Sequence, residues 1–151
     1  MQTPTRGKPD PAIATAWEHF EHAADVGVRG RGATPSAAFT GAALALAAVV
    51  ADPARVQPVV AVPFSCSAPD LELLLVDWLN QLIYAMATRR LLFCRFAVDI
   101  DGERLQATAW GEPIDPARHR LSVEAKAATY TGLAVHRQAD GGWVAQTVID
   151  V

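Results

Sequence analysis

The chain has 151 residues, of which 51% are apolar and 19% charged, with a formal net charge of -3. That length favours one domain with its own core, and the charge balance leaves no basic footprint for direct nucleic-acid binding. Two cysteines, Cys66 and Cys94, are too few for a disulfide framework and suit small apolar packing in a reducing compartment.

From Met1 to Ala16 the chain holds three prolines, two basic residues and no long apolar run. That composition excludes a secretory signal and predicts a disordered leader over 1–16, ahead of a domain over 17–151. Trp17 to His22 alternates large apolar and polar groups, as a half-buried strand does. After a break at Ala23-Ala24-Asp25 a short strand follows, Val26 to Gly30. Thr34-Pro35 marks a helix start, with Thr34 as N-cap and Pro35 at the first helical position. Phe39, Ala43, Leu46 and Val50 recur at helical spacing and mark its buried face. The apolar run Ala42 to Ala51 is too short to span a bilayer and closes at Asp52-Pro53, so a cytoplasmic chain without a membrane partner is expected.

Val56 to Cys66 reads as an extended edge segment because Pro58 and Pro63 cannot serve a central ladder. Ser67-Ala68-Pro69-Asp70 has the form of a capping box opening a second helix. Its stripe of Leu71, Leu74, Leu75, Trp78, Leu79 and Leu82, widened by Leu73 and Val76, predicts the buried centre of the fold. Leu91 to Ile100 and Glu103 to Trp110 flank Asp101-Gly102, a hairpin signal. Leu121 to Arg137 and Trp143 to Asp150 flank Asp140-Gly141-Gly142 and predict a second hairpin. Strands, helix, strand, helix and then four strands imply a single α+β domain, two helices packed on a mostly antiparallel sheet.

Few residues carry chemistry. Asp25 reads either as a turn aspartate capping amides or as half of a cation site, and Asp150 either as a solvated end residue or as the other half. Two carboxylates with main-chain oxygens are hard ligands that suit Ca2+ or Mg2+. His19 and His22 do not make a zinc pair, because residues three apart on a strand point to opposite faces. His19 is expected to be packed or hydrogen-bonded, and His22, three residues before Asp25, can hydrogen-bond a ligand carboxylate. Asp77 and Asn80 read as a solvated helix face. Gly27, Gly30 and Gly32 do not follow G-x-G-x-x-G, and neither a Walker-type loop nor a G-x-S-x-G elbow is present. Lys126, the only lysine after Lys8, reads either as a surface strand lysine or as an ammonium contacting a carboxylate, phosphate or partner.

Five segments in this order resemble the archease family over about 17–151. They are Glu21-His22-Ala23-Ala24-Asp25-Val26-Gly27, Leu73 to Asn80, Gly111 to His119, Lys126-Ala127-Ala128-Thr129-Tyr130, and Val148-Ile149-Asp150-Val151. The resemblance implies a non-enzymatic activator of an RtcB-type RNA ligase, one that promotes ligase guanylylation and repeated turnover in tRNA splicing and RNA repair. It implies a divalent cation, Ca2+ first, with Mg2+ or Mn2+ as alternatives. Asp25 and Asp150 would be side-chain ligands, Val151 would add a main-chain or terminal oxygen, and Lys126 would face the ligase. The partner is then a transiently bound ligase, with nucleic acid reached only through it. Two positions depart from the family pattern: Ala23 stands where a threonine is usual, and Thr131 where a histidine is usual. The competing readings are a stand-alone metal-dependent phosphohydrolase and a metal-independent, chaperone-like adaptor.

Overall fold

A computed structural model of the chain describes residues 13–151. Most of the leader expected over 1–16 therefore lies outside the described residues, and Ala16 already opens a strand. Strand β1 (Ala16–His22) turns through Ala23-Ala24, with Ala23 at a φ of 52°, into β2 (Asp25–Gly32). Every residue of β1 except Phe20 is exposed, so the expected half-buried strand is an exposed edge strand.

Helix α1 (Pro35–Val50) begins as its sequence predicts: the Thr34 hydroxyl accepts from the Ala37 amide at 3.1 Å, and Pro35 occupies the first turn. No residue of α1 is exposed. Strand β3 (Val60–Ser67) leads into α2 (Leu71–Arg89). The capping-box reading of Ser67 fails here. Ser67 ends β3, and Asp70 is the N-cap, accepting from Leu73 N at 2.8 Å. Helix α2 exposes Glu72, Asp77 and Tyr84, so the wholly covered helix is α1, whose small alanines let strands approach on several sides.

Strands β4 (Leu91–Asp101) and β5 (Arg104–Pro113) form the expected hairpin, but its two turn residues are Gly102 and Glu103. Gly102 takes a φ of +61° at the first turn position, which glycine adopts without steric cost. The long strand expected over Leu121 to Arg137 is broken into β6 (Ala127–Ala128) and β7 (Ala134–Arg137), so five strands follow α2. Both pair with β8 (Trp143–Asp150), and the β7–β8 hairpin turns through Asp140-Gly141-Gly142.

All strand pairs are antiparallel, in two sheets: a five-stranded one ordered β1-β2-β8-β6 with β7 also on β8, and a three-stranded one ordered β3-β5-β4. Pro63 sits on the edge strand β3, as its missing amide requires. One buried cluster, including Val28, Phe39, Leu46, Trp78, Leu79, Leu105 and Ile149, draws on both helices and both sheets. The single α+β domain expected from the element order is what forms. Among the described residues no helix is long and apolar enough to cross a membrane.

Candidate metal centre and its surroundings

Strand register decides where the acidic residues lie. In the β1–β2 ladder His22 pairs with Asp25, and in the β2–β8 ladder Val26 pairs with Ile149. One further step of that register sets Asp25 opposite Asp150, and Asp150 pairs in turn with Ala127 of β6. Directly opposed residues share a sheet face. His22, Asp25 and Asp150 therefore form one row across the end of the sheet. Asp25 is the first residue of β2 rather than a loop residue, and it is half-buried, whereas His22 and Asp150 are exposed.

Main-chain bonds tie this end together. The Val151 amide donates to Asp25 Oδ1 at 3.3 Å, and the Lys126 amide donates to the Asp150 carbonyl at 2.8 Å. Lys126 is exposed and directly precedes β6. Among the described residues, no ion pair engages Asp25, Asp150 or Lys126. Nor do three or more His, Cys, Asp or Glu side chains cluster there as a ready metal cage. The protein's own donors are thus two hard carboxylates and nearby main-chain oxygens. That set fits a hard cation only in part, since Ca2+ takes about 6–8 oxygens.

The break between β6 and β7 lies beside this row. Ala128 pairs with Ile149 and Ala134 with Gln146, so the five residues Thr129 to Leu133 face only Thr147 and Val148. The extra chain loops out as an extended bulge. The Thr147 hydroxyl holds it by donating to the carbonyls of Thr129 and Thr131. Thr131, one of the two departing positions, is exposed on this loop. Ala23, the other, is exposed in the turn beside His22.

Asn80 does not face solvent. Its amide accepts from Ala128 N at 2.8 Å and donates to Ala128 O at 3.4 Å, clamping β6 to α2. Helical spacing had placed Asn80 with exposed Asp77, and a strand from far along the chain covers that position. His19 behaves as expected, its Nε2 lying 2.7 Å from the Ala45 carbonyl oxygen. Both cysteines are free and half-buried, and burial pushes the Cys66 thiol up to about 11, away from nucleophilic duty.

A second polar cluster was not singled out from the sequence for its chemistry. Glu112, near the end of β5, is buried and accepts from Arg118 Nη1 and Nη2, from Gln57 N at 2.7 Å and from His119 Nε2 at 2.9 Å. The Asp115 amide donates to His119 Nδ1 at 2.8 Å, which assigns the ring proton to Nε2. No buried side-chain polar atom among them lacks a partner, so the cluster reads as a lock holding the 115–120 turn against β5 and the 53–57 segment. Its sequence signal was the Gly111–His119 segment, in which a glutamate is followed six and seven residues later by arginine and histidine.

The Arg118 guanidinium first, then His119 and the Gln57 amide, pull the Glu112 carboxyl down from 4.5 to about 2. A depressed carboxylate stabilises the fold fully above pH 4.5 and loses that contribution as pH falls toward 2. Glu112→Gln is therefore expected to melt lower than the parent at pH 7. The gap should narrow between pH 4.5 and 2. Melting curves recorded across that window decide it, and a constant gap would remove the charged lock.

Comparison with known proteins gives a consistent result. Residues 17–151 match the model of the Archease protein family (MTH1598/TM1083). The protein archease of Pyrococcus furiosus is 40% identical over 139 residues, 89% of this chain and 98% of its own length. That of Methanosarcina acetivorans is 37% identical over 146 residues, 93% of this chain and 99% of its own. The solution structure of Methanobacterium thermoautotrophicum protein 1598 aligns with a TM-score of 0.80 at 30% identity, covering 90% of this chain and 99% of that one. The crystal structure of an archease, possible chaperone, from Thermotoga maritima shares the fold, with a TM-score of 0.53 at 16% identity.

Proposed function

The chain belongs to the archease family, and from that premise we propose that it is a protein cofactor that activates an RtcB-type RNA ligase. It would promote guanylylation of the ligase and its repeated turnover, binding it transiently and meeting RNA only through it. The observation that carries the reading is the register that sets Asp25 and Asp150 on adjacent strands in one row, open to solvent on one side.

Asp25, Asp150 and an oxygen of Val151 would hold a divalent cation, Ca2+ first and Mg2+ or Mn2+ as alternatives. Such a cation supplies positive charge where phosphate oxygens gather negative charge during nucleotidyl transfer. The rest belongs to the chain's own groups. The incomplete donor set leaves positions that a partner's ligand can fill. Lys126, exposed and outside any ion pair among the described residues, can offer its ammonium to an anionic group of the partner. His22 lies in the row with Asp25 and can orient its carboxylate by hydrogen bonding. No residue of the centre is asked to act as nucleophile or base, which places the chemistry on the ligase.

The test mixes the chain with an RtcB-type ligase and GTP and follows the covalent guanylate. Asp25→Ala is expected to lose most of the stimulation while leaving the fold intact. If it stimulates as well as the parent, the cation account is wrong. The donor count also keeps the metal-independent adaptor in view, since only two carboxylates are supplied. That reading predicts stimulation undiminished by a chelator. Nucleotide turnover by the chain alone with Mg2+ or Mn2+ would instead make it a phosphohydrolase.

A further inference from the structure

We infer that Tyr130 is the side chain by which this protein anchors itself on its protein partner, and that the bulge between β6 and β7 exists to present it beside the acidic row. The inference rests on the activator reading for the partner's identity, and on the geometry for the residue.

Tyr130 is 68% exposed and opens the turn of the Thr129–Leu133 bulge. An exposed aromatic on a floppy loop would mean little, but this loop is held at almost every residue. Val148 N donates to Thr131 O at 3.1 Å, and Thr129 N and Oγ1 donate to Val148 O at 3.0 and 2.8 Å. Thr131 N donates to Thr129 Oγ1 at 3.2 Å, Gln146 Nε2 to Gly132 O at 3.1 Å, and Leu133 N to Tyr130 O at 3.3 Å. Gly132 takes a φ of +64° in the middle of that turn. The ordering cost of the loop is thus met on folding, so a contact through Tyr130 adds little entropy loss on binding. Tyrosine combines a large apolar ring with a polar tip and few rotatable bonds, which is why it recurs where interfaces concentrate their energy.

Position singles out Tyr130 from the other exposed aromatics. Tyr84 is 71% exposed, but it stands on a regular turn of α2 with no distortion built around it. Tyr130 follows Thr129, which pairs with Val148, two residues from Asp150. Lys126 and Asp150 are exposed beyond it. The surroundings favour a protein over a nucleic-acid strand. The net charge is -3 and Lys126 is the only lysine or arginine between Arg120 and Arg137, so the segment that carries Tyr130 offers no run of basic residues to follow a phosphate backbone. The occupant that fits is a protein surface with an apolar pocket for the ring and oxygen-bearing, acidic groups facing the Asp25–Asp150 centre and exposed Lys126.

The experiment titrates the parent, Tyr130→Ala, Tyr130→Phe and Tyr84→Ala against an RtcB-type ligase, reading direct binding and the rate of guanylate formation with GTP. Tyr130→Ala is expected to raise both the dissociation constant and the concentration for half-maximal stimulation by about 10-fold or more, at an unchanged plateau. Tyr130→Phe should stay within about 3-fold, because the ring is retained. Tyr84→Ala should match the parent, and melting temperatures should agree for all four. Unchanged binding by Tyr130→Ala overturns the inference. So does a raised GTP requirement at unchanged ligase affinity, which would assign Tyr130 to stacking on the base. A parent that binds without accelerating guanylylation defeats the activator reading alone, and its binding data still decide Tyr130. A parent that does not bind defeats both.

Discussion

Valine at position 30 is expected to leave no folded protein, and alanine there to remove about 3 kcal/mol or more of stability. A Cβ built on Gly30 would lie 2.0 Å from the Ala38 carbonyl oxygen and 2.2 Å from the Ala42 nitrogen, both backbone atoms of α1. The contact is reciprocal, since a Cβ on Gly41 would lie 2.9 Å from Gly30 Cα and 2.4 Å from the Ala16 carbonyl oxygen. Carbon and carbonyl oxygen settle no closer than roughly 3.3 Å, so α1 would have to back away from β2 by about 1 Å. That helix also packs on β8 and β4, and a close-packed interior resists such a shift throughout. Against a total stability of about 5–15 kcal/mol, the alanine variant should show a much lower urea midpoint and the valine variant no cooperative transition. An alanine variant that unfolds at the parent's urea concentration would mean that the helix does not sit this close.

The same glycines show where reading the sequence reached its limit. Their spacing argued against a phosphate loop, but no local pattern reveals that a helix backbone lies against Gly30. Close approach is a property of two segments. Local chemistry was legible where one segment decides it: Thr34-Pro35 started α1, and the Asp101-Gly102 region turned the β4–β5 hairpin, one residue later than the signal. Asp70 displaced Ser67 as N-cap because β3 runs on through Ser67 and leaves Asp70 the first free acceptor. Asn80 was misplaced for the reason that hid the β6–β7 bulge. Helical and strand periods say which way a residue points, not which distant strand covers it or how many residues it must span. At the candidate centre, the residue types Asp25 and Asp150 were legible, along with their preference for a hard cation. Their adjacency depends on β2 pairing with β8 across more than a hundred residues, which only the family resemblance suggested in advance. Glu112 was legible only as part of the Gly111–His119 segment, because its role lies in burial, and a glutamate at a strand end looks the same whether wet or dry.

Trp78→Ala is expected to cost about 3–5 kcal/mol, the usual loss for emptying a large aromatic site in a core. Trp78 is fully buried on α2 and meets Phe64 and Phe96 edge-on, at ring-centroid distances of 5.6 and 6.2 Å. Phe93 closes the group through Phe64 and Phe96, each at 6.1 Å. These phenylalanines belong to β3 and β4, so one side chain ties α2 to two strands of the smaller sheet. Its indole Nε1 also donates to the Phe39 carbonyl at 3.3 Å, reaching α1. Truncation therefore opens a void where both helices meet that sheet. Neighbouring rings cannot collapse into it without leaving their own edge contacts. Trp78→Phe retains a ring and should lose distinctly less, separating the packing loss from the single long hydrogen bond. Urea unfolding followed by circular dichroism measures both variants, and an unchanged slope with a lowered midpoint is the expected signature. A loss below about 1 kcal/mol for alanine would show that the site repacks freely. In that case α2 would be held mainly by its leucine stripe and by the Asn80 clamp on β6.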